Sequence, residues 1–183
     1  MKHLFLKYSW LPVLLLLSAC MKEPVYPPEP QIEFKSISAR TVFDDFRKTE
    51  VAEIKIILKF KDGDGNLGID NANPADSLAP FDYANGFNKF HHNYFIETYF
   101  ETDGEFKLVN LPISLNGRYP LLNPDGEKRA LEGELLYTID DLVISFLPLS
   151  FKSGDRMKFR VTIADRALNL SNTVETDPVQ IFF

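Results

Sequence analysis

Ala52, Ile54, Ile56, Leu58 and Phe60 alternate with Glu53, Lys55, Ile57 and Lys59. The same period of two returns far down the chain, where Met157, Phe159, Val161 and Ile163 alternate with Arg156, Lys158, Arg160 and Thr162. Successive side chains of a strand point to opposite faces, so each run describes a strand with one buried face. Leu131 to Ile139 alternates in the same way. Phe95 to Glu101 and Glu105 to Val109 flank Thr102-Asp103-Gly104, a hairpin signal. Val174 to Phe183 reads as a closing strand. Asp-Gly and Asn-Gly pairs starting at Asp62, Asp64, Asn85, Asp103, Asn116 and Asp125 punctuate the chain as turns. The adjacent pairs Asp44-Asp45 and Asp140-Asp141 read as turns too. No long segment keeps a period of 3.6. These patterns predict an all-β fold, an immunoglobulin-like β-sandwich with long loops spanning residues 31–183.

The first thirty residues read differently. Lys2, His3 and Lys7 precede an apolar run that ends in Leu14-Leu15-Leu16-Leu17, and Ser18-Ala19-Cys20 follows. That is the order of a secretory signal over residues 1–19. About 20 apolar residues are needed to span a bilayer, and this run is about half that. Leu17-Ser18-Ala19-Cys20 looks like a bacterial lipobox, with Cys20 the residue that receives the lipid. Cys20 is the one cysteine of the chain, so the mature protein forms no internal disulfide and carries no thiolate zinc site. Two or more acyl chains, such as palmitate, hold a protein stably on a membrane. Residues 20–30 then read as the lipidated cysteine and a tether. Pro24, Pro27, Pro28 and Pro30 favour polyproline II geometry at about 3.1 Å per residue, a reach of about 30 Å. The expected address is the cell envelope, lipid-anchored at the outer membrane, on its periplasmic face or at the cell surface.

Charge excludes one class of partner. The net charge is −6, and Lys2 and Lys7 belong to the leader, so the mature chain is more acidic still. Nucleic-acid binding needs a basic footprint, and none is present.

The segment Asp62-Gly63-Asp64-Gly65-Asn66-Leu67-Gly68-Ile69-Asp70 directly follows the first strong strand. Asp62, Asp64 and Asn66 supply side-chain oxygens at alternate positions, and the glycines let the backbone fold tightly enough for them to converge. The EF-hand pattern fails, because Leu67 stands where its glycine belongs and Asn73 where its bidentate Glu belongs. Calcium takes 6–8 oxygens. Asp62, Asp64, Asn66 and Asp70, with Asp165 from Asp165-Arg166-Ala167-Leu168-Asn169 after the second strong strand, form a candidate calcium set. If those two strands are the B and F strands of such a sandwich, both exit at one end and the two loops meet. The competing reading is a tight Asp-Gly turn whose carboxylates cap backbone N–H groups.

Residues 81–95 crowd aromatic rings beside amides. Tyr83, Phe87 and Tyr94 are candidates for stacking on a glycan, and the competing reading has the rings capping one end of the sandwich. His91 and His92, as neighbours on a strand, would face opposite ways, which suits no shared metal. No nucleophile elbow, HExxH or phosphate-binding glycine loop occurs, so no catalytic residue is assigned and no enzyme is expected.

Three segments together resemble a group of small lipoproteins common in Bacteroidota. They are Phe60 to Gly68, Leu121-Leu122-Asn123-Pro124-Asp125-Gly126-Glu127 running to Leu135, and Val161 to Asn172 running into Thr173-Val174-Glu175-Thr176. The resemblance implies an immunoglobulin-like or fibronectin-type sandwich and no assigned activity. In that group Lys and acidic residues after the lipid cysteine direct surface display, and Met21-Lys22-Glu23-Pro24 carries the Lys with one acid. Asp76-Ser77-Leu78 resembles the O-glycosylation signal of those bacteria, with Ser77 the acceptor. The function expected is that of an envelope-anchored binding or structural module. Its partner is an unidentified protein or glycan, and the alternative is a glycan-binding lipoprotein using residues 81–95.

Overall fold

The computed structural model describes residues 24–70, 72, 81–82, 86–87, 91–143, 147 and 151–182, with the backbone course alone for 81–82, 86–87 and 140–143. In chain order the strands are β1 (Gln31–Asp44), β2 (Thr49–Asp62), β3 (Phe81–Asp82), β4 (Gly86–Phe87), β5 (Tyr94–Thr102), β6 (Glu105–Val109), β7 (Leu131–Val143), β8 (Arg156–Ile163), β9 (Val174–Glu175) and β10 (Val179–Gln180).

One sheet has the order β1-β2-β7. The other runs β10-β8-β5-β6, with β9 also on β8. The pairings are antiparallel throughout. β3 and β4 form a small separate pair. Helix is almost absent among the described residues. The two main sheets pack face to face as a β-sandwich. Ile54, Ile56 and Leu58 of β2 meet Met157, Phe159 and Val161 of β8 and Phe100 of β5 in one apolar core.

The alternation of β2 and β8 maps directly onto burial. Ile54, Ile56, Leu58 and Phe60 are buried, while Lys55, Lys59 and Lys61 face solvent. Met157, Phe159, Val161 and Ile163 are buried, while Arg156 and Arg160 are exposed. Central strands carry this pattern cleanly because both their edges are paired. β1 is an edge strand in which exposed and partly buried residues are about equal and only Ile32 is buried, so its alternation is weak.

Asp103 (φ 56°) and Gly104 (φ 80°) form the two-residue turn between β5 and β6, with Thr102 opposite Glu105. Two positive φ angles match the twist that favours such hairpins. Asp44 ends β1 in a turn, its Oδ1 accepting the N–H groups of Phe46 and Arg47.

Two expectations are corrected. Asp140-Asp141 is not a turn but lies inside β7. Ala52 pairs with Leu142 and Ile54 with Ile139, so both aspartates stand opposite Glu53 in a β-bulge. The closing segment is not one strand either. Pro178 has no N–H to give a ladder, and it separates β9 from β10. Between them the Thr176 hydroxyl accepts the Phe159 N–H at 3.0 Å and the Thr176 N–H donates to the Phe159 carbonyl at 2.9 Å.

Candidate functional site

The alternation of β2 does not stop at its last apolar residue. Two positions beyond Phe60, Asp62 falls on the inward face and is fully buried. Two positions beyond Ile163, Asp165 does the same at the end of β8 and is 3% exposed. Both strands exit at the same end of the sandwich, and Leu67 forms a bridge to Asp165.

The Asn66 amide joins the two loops. Its Nδ2 donates to Asp64 Oδ2 at 3.1 Å and to Asp165 Oδ2 at 3.3 Å. Its backbone N–H donates to Asp62 Oδ2 at 3.0 Å, and its carbonyl accepts from Arg166 N–H at 3.2 Å. Asp165 is held by its own loop, where Oδ1 accepts the Asn169 N–H at 2.8 Å and Oδ2 the Asn169 side-chain amide at 2.9 Å. Three oxygens of this loop are buried with no hydrogen-bond partner among the described residues: Asp62 Oδ1, Asp64 Oδ1 and Asn66 Oδ1. Burial, then the neighbouring Asp64 carboxylate and more weakly that of Asp165, push the Asp62 carboxyl up to about 6, against donation from the Asn66 and Gly65 N–H groups.

Three further segments close over this loop. Asn123 is 1% exposed. Its Nδ2 donates to the Gly65 carbonyl at 3.3 Å and the Glu127 carbonyl at 2.6 Å, and its Oδ1 accepts from Arg129 at 2.8 Å. Tyr119 lies beneath, its hydroxyl donating to the Ala164 carbonyl at 3.4 Å. That hydroxyl is raised by burial and by the Asp62 and Asp165 charges. Ile69 N–H donates to the Tyr119 carbonyl and Leu122 N–H to the Leu67 carbonyl. Gly68 sits at φ 96°, where an added Cβ would stand 2.2 Å from the Pro120 oxygen.

The third segment is the Pro-rich strap. Residues 26–30 are not the free spacer expected of them. The Tyr26 hydroxyl donates to Glu132, Lys61 Nζ lies 5.3 Å from the Tyr26 ring centroid, and Pro30 is fully buried. The strap crosses Gly63 so closely that a Cβ there would lie 2.3 Å from the Tyr26 oxygen and 2.5 Å from that of Pro27. Asn172 pins the start of β1, donating to the Ile32 carbonyl at 2.8 Å and accepting its N–H at 2.9 Å.

Asp62, Asp64, Asn66 and Asp165 therefore meet in one clasp. Asp70 has a separate task, its Oδ1 accepting the Ala72 N–H at 2.9 Å. Among the described residues, no three His, Cys, Asp or Glu side chains form a ready metal-holding group. Ser77, Tyr83 and Cys20 lie outside the described residues, and Phe87 is described by its backbone pairing with Phe81. The Tyr94 ring packs between Tyr137, at 4.6 Å, and Tyr119, at 6.5 Å, so it braces the sheets from within. Asn123, Tyr119 and the strap carry no periodic signal, and sequence reasoning did not place them at the site. The LNPDGE segment was the one cue to Asn123.

No family model matches the chain, and neither a curated protein nor a solved structure matches it.

Proposed function

We propose that this chain is an envelope lipoprotein, lipid-anchored through Cys20 at the outer membrane, whose sandwich acts as a non-catalytic binding or structural module. The sandwich is read as immunoglobulin-like. The order β1-β2-β7 against β6-β5-β8 with β9 and β10 at the edge corresponds to A-B-E facing C′-C-F-G. The three segments that resemble Bacteroidota lipoproteins all contribute to the clasp.

The observation that carries the reading is the path from Leu17-Ser18-Ala19-Cys20 into a strap seated on the domain from Tyr26 onward. The six residue steps from Cys20 to Tyr26 span about 22 Å at most in extended geometry. A lipid on Cys20 thus holds the domain close to its bilayer. A non-catalytic role is supported by where the polar chemistry sits. Asp62 and Asn123 are sealed from solvent, and the ion pairs Arg40–Glu53, Lys35–Glu134 and Lys158–Glu175 lie along solvated sheet faces.

Metabolic labelling with a fatty-acid analogue, followed by membrane fractionation, tests the anchor. Wild type should be labelled and sediment with membranes, and Cys20→Ala should be unlabelled and either soluble or unprocessed. A Cys20→Ala protein that is processed, labelled and retained like wild type would overturn the reading.

A further inference from the structure

We infer that the clasp is a calcium site, with Asp62 Oδ1, Asp64 Oδ1 and Asn66 Oδ1 as its protein ligands and Asp165 as the brace that aims the Asn66 amide. The inference is independent of the lipid anchor.

The first ground is chemical. Asp62 is fully buried, and its Oδ1 has no donor among the described residues, although the rest of the loop is densely hydrogen-bonded. Asp64 Oδ1 and Asn66 Oδ1 are stranded in the same way. A buried oxygen left without a partner costs stability, so three from alternate residues of one loop call for a common positive partner. None of Asp62, Asp64 and Asp165 enters an ion pair among the described residues.

The second ground is division of labour within the Asn66 amide. Its nitrogen is spent on Asp64 Oδ2 and Asp165 Oδ2, which leaves its oxygen as the free pole. Asp165 accepts from the Asn169 N–H and side-chain amide and from the Asn66 amide, which assigns it the positioning role. The donors are all oxygen, with two carboxylates and an amide, which selects a hard cation. Oxygen donors on an irregular loop suit the flexible shell of calcium better than the strict octahedron of magnesium.

The full mature protein, purified in detergent and stripped with EDTA, provides the test. Trp10, the one tryptophan, lies in the leader, so tyrosine is the sensitiser of terbium luminescence. Terbium should bind saturably at one site, and calcium chloride should displace it. Magnesium chloride should need at least about tenfold more, given its reluctance to dehydrate. At 100 times the calcium Kd, Tm should rise by about 5–10 °C. Asp64→Asn should weaken calcium at least about tenfold, as expected when a charged ligand is lost. Its melting curve in EDTA reports whether it is folded. Asp70→Asn should bind as wild type does. No saturable terbium or calcium binding by wild type, a folded Asp64→Asn with unchanged affinity, or displacement by magnesium at the calcium concentration would each overturn the assignment.

Discussion

Asp62→Asn is the sharpest probe of the clasp, because it removes one charge and almost no volume. The folded protein holds the Asp62 carboxyl at about 6, against an ordinary 3.8. A carboxyl pKa raised by folding means that the unfolded chain accommodates the charge better. The cost to the native state is therefore full at pH values above the folded pKa. About two pKa units correspond to about 3 kcal/mol at pH 7. An asparagine oxygen can still accept the Asn66 N–H, and its amide hydrogens would face Asp64 where Oδ1 now has no partner. The amide is a weaker acceptor than a carboxylate, which returns part of the gain. In EDTA at pH 7 the variant should be more stable than wild type by about 1–3 kcal/mol, or about 2–10 °C in Tm for a domain of this size. Far-UV circular dichroism melts of the two proteins side by side measure it. In calcium the order should reverse, since the variant has lost a ligand. If Asp62→Asn melts below wild type in EDTA, the carboxylate is a stabilising turn cap, and the argument from stranded oxygens fails.

Gly68→Ala should cost about 2–4 kcal/mol in denaturant titration, because alanine is strained at φ 96° and its Cβ meets the Pro120 oxygen. Glu53 is held at about 2, first by the Arg40 guanidinium and then by Lys55. Its folded pKa is depressed, so its contribution is complete above its ordinary pKa of 4.5 and lost as pH falls through about 2. An NMR titration of its side-chain carboxyl should show this low value in wild type and a rise toward 4.5 in Arg40→Gln.

The sandwich was readable because its two central strands each bury one face. Continuing their alternation by one more step puts Asp62 and Asp165 inside the same end of the fold, so half of the clasp was legible as well. The other half was not. Asn123, Tyr119 and the strap come from segments without regular structure, where no periodicity links position to orientation. Asp140-Asp141 misled because two adjacent acids resemble a turn, and only the register against Glu53 reveals a bulge. Pro178 was visible in the sequence, yet the apolar residues on either side of it suggested one continuous strand.

With a lipid on Cys20, the seat of the strap would also set which way the molecule points. β1 begins where the strap ends, at Gln31, and runs 14 residues before the chain reverses after Asp44, a length of about 45 Å. A lipid on Cys20 would turn the Asp62 end toward the bilayer and put the β1–β2 turn at the far pole. There Phe43 and Phe46 stand 60% and 96% exposed. A molecule arriving from the aqueous side would meet two bare rings at the tip of a hairpin. Calcium drawn to an anionic headgroup layer would meet the carboxylates at the other end first.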